Sequence, residues 1–122
     1  NTIIAGNTAA TSDPDVRGDF SSQGNNLIGD AGASSGWLAS DLLGTGADPI
    51  YPFLSPLQDN GGPTFTHAPL FDSPAIDAGN LGVINTYPDP LINNDLDGNS
   101  RIIDPDIGAY EYVSISNFFR YD

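Results

Sequence analysis

The sequence predicts a small all-β domain, and three observations support this class. The chain has 122 residues, of which 39% are apolar, 14 are glycine and 10 are proline, a composition typical of turn-rich folds. A chain of this length has room for one domain. Its apolar runs are short, and none approaches the roughly 18 residues of a membrane-spanning helix. Because 14 glycines and 10 prolines interrupt regular helix, a helical bundle and a coiled coil are excluded.

The charge of the chain narrows the classes of partner. Sixteen acidic side chains stand against three arginines and no lysine, so the net charge is −13. This charge repels nucleic acid and anionic lipid, and it favours cations. Fifteen of the sixteen acids are aspartate, many beside Gly, Asn or Pro, where a short carboxylate accepts turn N–H groups or faces a metal.

The chain contains no cysteine, so no disulfide stabilises the fold, and the composition suits either the cytosol or a bacterial exterior. It opens at Asn1 without an initiator methionine or an apolar signal segment, and we therefore expect a processed product or a fragment.

A weak internal repeat indicates how the strands are arranged. The segment Asn1-Thr-Ile-Ile-Ala-Gly-Asn7 recurs in kind as Asn25-Asn-Leu-Ile-Gly-Asp30, 24 positions later. A second β-like piece, Asp15–Phe20, lies between the copies. This spacing fits a solenoid whose strands pair with the coils above and below. Two hairpins of a sandwich fit it equally well.

The remaining elements are predicted from turn residues and alternation. Residues 30–40 form a loop with Trp37 as its anchoring aromatic, and residues 40–43 form a single helical turn ended by Gly44. Residues 64–67, 73–79 and 106–113 are predicted strands. Residues 48–57 are predicted to run extended over the core, and residues 58–63 to reverse the chain.

Several short sequence motifs follow one another in a fixed order over about residues 1–112. They are Asn1-Thr-Ile-Ile-Ala-Gly-Asn7, Pro14-Asp-Val16 with Gly18 and Phe20, Gly24 to Gly29, Asp41-Leu-Leu-Gly-Thr45, Leu57-Gln-Asp-Asn-Gly-Gly-Pro-Thr64, Thr66-His-Ala68, Ser73-Pro-Ala-Ile-Asp-Ala-Gly79, Asp97-Gly98 with Arg101, and Asp106-Ile-Gly-Ala-Tyr-Glu111. In this order the motifs resemble the choice-of-anchor Q domain of bacterial surface proteins.

The resemblance implies a right-handed parallel β-helix that closes in a loop-rich cap. Residues 1–44 are then the terminal β-helix coils, residues 45–112 the cap packed on them, and residues 113–122 a C-terminal tail, all in one cooperative domain. It further implies export, display at the bacterial surface and a structural or adhesive role without catalysis.

An oxygen-rich segment near the end of the chain predicts a metal site. Asp95, Asp97 and Asn99 alternate around Gly98, with Asp104 nearby, and such carboxylate and amide oxygens are the ligands that Ca²⁺ prefers. The alternative is an Asx-rich turn in which these side chains accept backbone N–H groups and pair with Arg101.

We predict no catalytic residue. His67 is the only histidine, and one imidazole on an alternating segment is usually structural. A polysaccharide lyase is disfavoured because the chain lacks lysine and because its negative charge repels an acidic polysaccharide.

The predicted interaction surface is the first strand and the tail. If residues 1–30 are coils of a stack, Thr2, Ile3 and Ile4 present unpaired backbone and apolar groups. A second copy covers them, head to tail in a filament or face to face in a dimer, or further coils of a longer chain do. Three aromatics of the tail either fold back on the cap or dock on a neighbour and extend this surface: Phe118, Phe119 and Tyr121.

A second class of function stays open beside the first. A carbohydrate-binding or carbohydrate-active β-helix module would use an acidic groove with Tyr51, Tyr87 or Trp37 as a stacking face. Extracellular polysaccharide is then the partner.

Overall fold

The computed structural model describes residues 1–10, 12–82 and 104–112. In these ranges the chain is mostly non-helical, and its regular part is a small open sheet of three parallel strands. The strands are β1 (Ile3–Ile4), β2 (Leu27–Ile28) and β3 (Leu42–Leu43). This architecture is consistent with the predicted all-β class.

The strands stack in chain order, with β2 in the centre. Ile3 lies opposite Leu27, and Leu27 lies opposite Leu42. The 24-position offset between Ile3 and Leu27 is the offset of the sequence repeat, so the pairing that the repeat predicts is confirmed for β1 and β2.

The predicted helical turn at residues 40–43 is wrong, because Leu42–Leu43 form β3. The Leu42 amide donates to the Asn26 carbonyl at 2.7 Å and the Gly44 amide to the Ile28 carbonyl at 2.9 Å. A single helical turn fixes several residues for one hydrogen bond, whereas the strand completes a ladder that β2 already offers.

Small residues follow each strand because the stack is tight there. Ala5, Gly29 and Gly44 occupy the position after β1, β2 and β3. A Cβ on Gly29 would lie 2.8 Å from the Ala5 Cβ, and one on Gly44 would overlap the Gly29 carbonyl oxygen. The pattern of two apolar residues followed by Gly or Ala therefore reflects close backbone approach.

A second, smaller stack lies beside the sheet. Asp19 and Ser35 form a parallel bridge, with the Phe20 amide donating to the Ser35 carbonyl at 2.9 Å. The Trp37 ring stacks on Phe20 with centroids 4.6 Å apart, and its indole N–H donates to the Ser34 hydroxyl. Trp37 thus anchors its loop, as the sequence predicts.

The core lies on both faces of β2. Ile28 packs on one face with Val16 and Ala31, against Ile4 and Trp37. Leu27 packs on the other, in a cluster with Ala75, Ile107, Ile3, Ala5, Leu42, Ile50 and Ala78. Successive side chains of a strand point to opposite faces, and a central strand buried on both sides is typical of parallel sheets.

After β3 the chain turns at Thr45–Asp48 and runs back, so that the Ile50 amide donates to the Gly29 carbonyl. Residues 53–70 then form an antiparallel arm. Its two sides are joined by Ser55 N–H to Ala68 C=O at 2.8 Å and by Leu70 N–H to Phe53 C=O at 2.8 Å. The predicted reversal at residues 58–63 lies at its tip.

The last described segment lies beside residues 75–79. The Ile107 amide donates to the Ala75 carbonyl and the Asp77 amide to the Asp106 carboxylate. The Gly79 amide also donates to the Pro105 carbonyl. These separate bonds do not form a ladder, so in the described parts of residues 73–79 and 106–113 the predicted strands are wrong. The buried Ile107 side chain closes the Leu27 face of the core.

Candidate functional site

The predicted interaction residues of β1 lie at the edge of the sheet. Thr2 is exposed, and Ile3 and Ile4 are half-buried on opposite faces. Among the described residues β1 pairs with β2 alone. Such an edge presents backbone groups to a further strand.

A polar ladder runs along the start of the three strands and links them in register. We use this name for Thr2, Asn26 and Asp41, which precede β1, β2 and β3. The Asn26 side-chain oxygen accepts the Thr2 amide at 3.0 Å, and the Asp41 carboxylate accepts the Asn26 amide at 3.0 Å. Each N–H at this position therefore points toward the next strand along the chain.

Asp41 ends the ladder as a buried carboxylate with several donors. It accepts the Ser22 hydroxyl at 2.6 Å, the Leu38 amide at 2.7 Å and the Asn26 side-chain amide at 2.9 Å. Burial by itself raises the pKa of Asp41, but the hydrogen bonds from Ser22, Leu38 and Asn26 outweigh it and hold the pKa below its ordinary value. The group is thus charged at neutral pH and fixes the start of β3.

An open groove of about 1140 Å³ lies against β1. We call it the edge groove. Asn1, Thr2, Ile3 and Ala5 line it on the β1 side. The rest of its described lining comes from residues 51–57, 65–67 and 69, at the base and along both sides of the arm, and from residues 107–110. Chain segments far apart in sequence therefore meet around the predicted interaction strand.

The edge groove exposes large apolar side chains. Tyr51, Phe53 and Phe65 are 62%, 55% and 63% exposed, and all three line it. The antiparallel arm holds Phe53 and Phe65 on this side without covering them. Contiguous exposed apolar surface of this kind marks sites that bind a partner.

The described lining of the edge groove carries no acidic group, although the chain has sixteen. None of the described residues that line it is Asp or Glu. Its one ionisable imidazole, His67, places Nδ1 2.8 Å from the Ser55 carbonyl oxygen, which agrees with the structural role predicted for it.

The opposite edge of the sheet is built differently. The Asp41 amide, which would continue the polar ladder past β3, donates to the Leu38 carbonyl at 3.0 Å. The Thr45 amide, two residues after Leu43, donates to the Asp48 carbonyl at 3.0 Å. Local turns thus provide acceptors for the amides of Asp41 and Thr45, which lie two residues before and after Leu43.

The predicted metal site falls mostly beyond the described ranges. Asp95, Asp97 and Asn99 lie outside the described residues. Asp104 is described, is exposed and has a φ of 47°. Within residues 1–10, 12–82 and 104–112, no group of three or more His, Cys, Asp or Glu side chains is arranged to hold a metal ion.

Some of the other predicted contact residues are described by the structure and some are not. Phe118, Phe119 and Tyr121 of the tail, and Tyr87 of the predicted stacking face, lie outside the described residues. Tyr51 and Trp37 are described but do not share a surface, because Tyr51 lines the edge groove and Trp37 stacks on Phe20.

Sequence reasoning did not identify Phe53 and Phe65 as surface residues. The available signal was their position on the two sides of the Asp59–Pro63 turn, which places them on neighbouring segments of an antiparallel arm. The alternation in residues 64–67 predicts a half-buried segment, and in the structure Phe65 is its exposed member and Thr66 its buried one.

None of the family models, curated proteins or solved structures compared with the chain matches it. The described part of the chain contains no helix with the length and hydropathy that a membrane crossing needs.

Proposed function

We propose that this chain is a non-catalytic structural or adhesive module of a bacterial surface protein, working outside the cell. In this proposal β1, β2 and β3 belong to the last coils of a right-handed parallel β-helix, and the β1 edge receives a further β layer. That layer comes from another copy of the chain or from additional coils of a longer one.

The observation that carries this proposal is the in-register parallel stack Ile3–Leu27–Leu42 with β1 at its edge. A sandwich built from hairpins would pair these segments antiparallel. The Asp19–Ser35 bridge supports the same view, because residues 19 and 27 each pair with a residue 15 or 16 positions later. Two neighbouring stacks with nearly equal offsets are typical of coils.

The residues that line the groove beside β1 favour a role in assembly over a role in catalysis. The groove beside β1 combines apolar side chains with an open strand edge, and no carboxylate is found among its described lining residues. Glycoside hydrolysis needs a pair of carboxylates flanking the substrate. A lining of this kind suits contact with another protein surface.

Size-exclusion chromatography with light scattering tests the proposal on the 122-residue chain. We expect concentration-dependent self-association that is lost when residues 1–7 are removed. Circular dichroism of the shortened chain checks its folding, and Thr2→Arg, which adds charge at an exposed edge position, provides a milder second variant. Association that persists in both variants would contradict the proposal.

The exposed aromatics of the edge groove favour one alternative, a carbohydrate-binding module. Tyr51 is the stacking residue that the sequence predicts, and its ring is exposed beside Phe53. Affinity electrophoresis in gels containing bacterial polysaccharide tests it. Retardation that Tyr51→Ala abolishes and Phe71→Ala preserves would support this alternative, since Phe71 is exposed outside the groove lining.

A further inference from the structure

We infer that two copies of this chain join face to face through their edge grooves and form a closed dimer, not a fibre. This inference rests on the proposed function, in which the β1 edge is the assembling end. It adds the partner, a second copy of the same chain, and the symmetry of the contact.

The two edges of the sheet differ in what they offer a neighbour. Head-to-tail growth would bring the β3 edge of one copy against the β1 edge of the next. At β3, however, the amides of Asp41 and Thr45 are already bound to Leu38 and Asp48. Only Leu43 remains between them to pair outward. No comparable local turn beside Ile3 is formed by the described residues.

Charge separates the two edges as well. Asp41 and Asp48 flank β3, whereas the described lining of the edge groove has neither Asp nor Glu. Two molecules of net charge −13 repel each other on most approaches. Contact of groove with groove brings no described lining carboxylate against another, so repulsion between lining carboxylates of the described residues does not oppose this approach.

Two-fold symmetry follows if the edge groove is the surface through which copies assemble. A surface that contacts a different surface generates rings or open filaments, whereas a surface that contacts itself closes after two copies. The exposed side chains of Phe53 and Phe65 pack against their counterparts across the two-fold axis, and β1 lies beside the partner's β1.

Cysteine cross-linking distinguishes the two arrangements, because the chain has no cysteine of its own. Thr2→Cys places one thiol at the exposed start of β1, and Ala39→Cys places one in the exposed turn before β3. Each variant is treated alone and in an equimolar mixture with a short bismaleimide. We expect Thr2→Cys to give a covalent dimer and Ala39→Cys to remain monomeric.

In the mixture we expect only the Thr2→Cys homodimer. A heterodimer of Thr2→Cys with Ala39→Cys, or scattering masses that grow beyond two copies, would overturn the closed dimer and leave assembly through β1 standing. A chain that remains monomeric at every concentration would overturn this inference and leave additional coils of a longer chain as the cover of β1 in the proposed function.

A matched pair of substitutions tests the surface itself. Phe65 and Phe71 are both exposed, but only Phe65 lines the edge groove. We expect Phe65→Asp to weaken dimerisation at least tenfold and Phe71→Asp to leave it unchanged. Equal effects of the two variants on the dimer would overturn the assigned surface.

Discussion

Asp41 shows how a single side chain fixes local structure in a chain with little regular secondary structure. Its two carboxylate oxygens accept hydrogen bonds from Ser22, Asn26 and Leu38. Hydrogen bonds to a charged acceptor are stronger than neutral ones, and removal of the acceptor leaves several donors without partners. Asp41 therefore holds the loop before β2 and the turn before β3 together.

Replacement of Asp41 by Asn should destabilise the fold at neutral pH. The amide keeps the shape of the side chain but loses the charge and turns a donor toward Ser22 or Leu38, which should cost about 2 to 3 kcal/mol. Urea denaturation at pH 7 measures this loss. Asp48→Asn is the control, because the Asp48 side chain is exposed and its replacement should change stability by less than about 0.5 kcal/mol.

The pH dependence of the Asp41 contribution has a definite sign. Its pKa is lowered in the folded chain from the ordinary value of 3.8, so its stabilisation is present above pH 3.8 and is lost as the pH falls through the lowered pKa. The difference in unfolding free energy between wild type and Asp41→Asn should therefore shrink in acid. A constant difference down to pH 2 would contradict this assignment.

Gly44 is a second residue on which the stack depends. A Cβ there would overlap the Gly29 carbonyl oxygen and the Ile50 amide, both backbone groups, so we expect Gly44→Ala to cost about 1 to 3 kcal/mol. In Gly46→Ala the nearest atom is the Asp30 carboxylate oxygen at 3.3 Å, the end of a side chain that can move. Thermal unfolding of both variants should show a clearly larger loss for Gly44.

At the scale of elements, β2 is the centre of the fold. It is fully buried, and its two side chains belong to two different core clusters. Burial of a Leu or Ile side chain contributes about 1.5 to 3 kcal/mol each. The edge strands share only part of this burial, since Leu43 is 38% exposed.

This difference predicts unequal effects of one substitution. Leu27→Ala should lower the unfolding free energy by about 2 to 5 kcal/mol, and Leu43→Ala by less than about 1 kcal/mol. Guanidinium denaturation of both variants measures the contrast. Similar midpoints for the two would show that β2 is not the centre of the core.

The pairing of β1 with β2 could be predicted from the sequence, but β3 could not. The first two strands lie in segments that repeat over several residues. The third shares only four positions with β2, Asp41-Leu42-Leu43-Gly44 against Asn26-Leu27-Ile28-Gly29, at a different offset. The residues that predict a helical turn at 40–43, with Ser40 or Asp41 as its N-cap, compete with that short pattern, and pairing with β2 decides the structure.

The edge groove lay beyond sequence reasoning for a physical reason. It forms where residues 1–5, 51–69 and 107–110 meet, and no local pattern in any of them reports the others. The sequence did predict Thr2, Ile3 and Ile4 as the exposed end of the stack. The aromatic side chains that extend this surface follow from the path of the antiparallel arm.

For the whole molecule, we expect the distribution of charge to govern assembly of the proposed dimer. With a net charge of −13, long-range repulsion opposes association, and the apolar edge groove favours it. Repulsion between exposed charges is screened by salt, with a Debye length of about 10 Å at 0.1 M and about 3 Å at 1 M. The groove contact is apolar and does not weaken in the same way.

Dimerisation should therefore tighten as sodium chloride is raised. Sedimentation equilibrium in about 0.05 M and about 0.5 M salt measures the dissociation constant, and we expect it to fall severalfold. The Phe65→Asp variant, which introduces a carboxylate into the groove of each copy, should show the steeper dependence on salt. A dissociation constant that rises with salt would mean that attraction between opposite charges drives assembly.

Calcium binding by the Asp95–Asn99 segment with Asp104 remains a prediction from the sequence. A ligand that binds only the folded chain stabilises it by about 2.7 kcal/mol at 100 times its Kd. We expect a higher Tm in millimolar Ca²⁺ than in chelator, with the increase lost in Asp97→Asn and kept in Asp59→Asn. Identical Tm values in the two buffers would count against the site.

The unequal spacing of the strands has a consequence for how this molecule tolerates change. The step from β1 to β2 takes 24 positions and the step from β2 to β3 takes 15, yet both keep the same alignment. The longer step includes the exposed residues Asn7–Ala10. The number of residues between β1 and β2 therefore does not set the register of the two strands. A short foreign peptide inserted at residues 7–10 should be displayed without disturbing the pairing of β1 with β2.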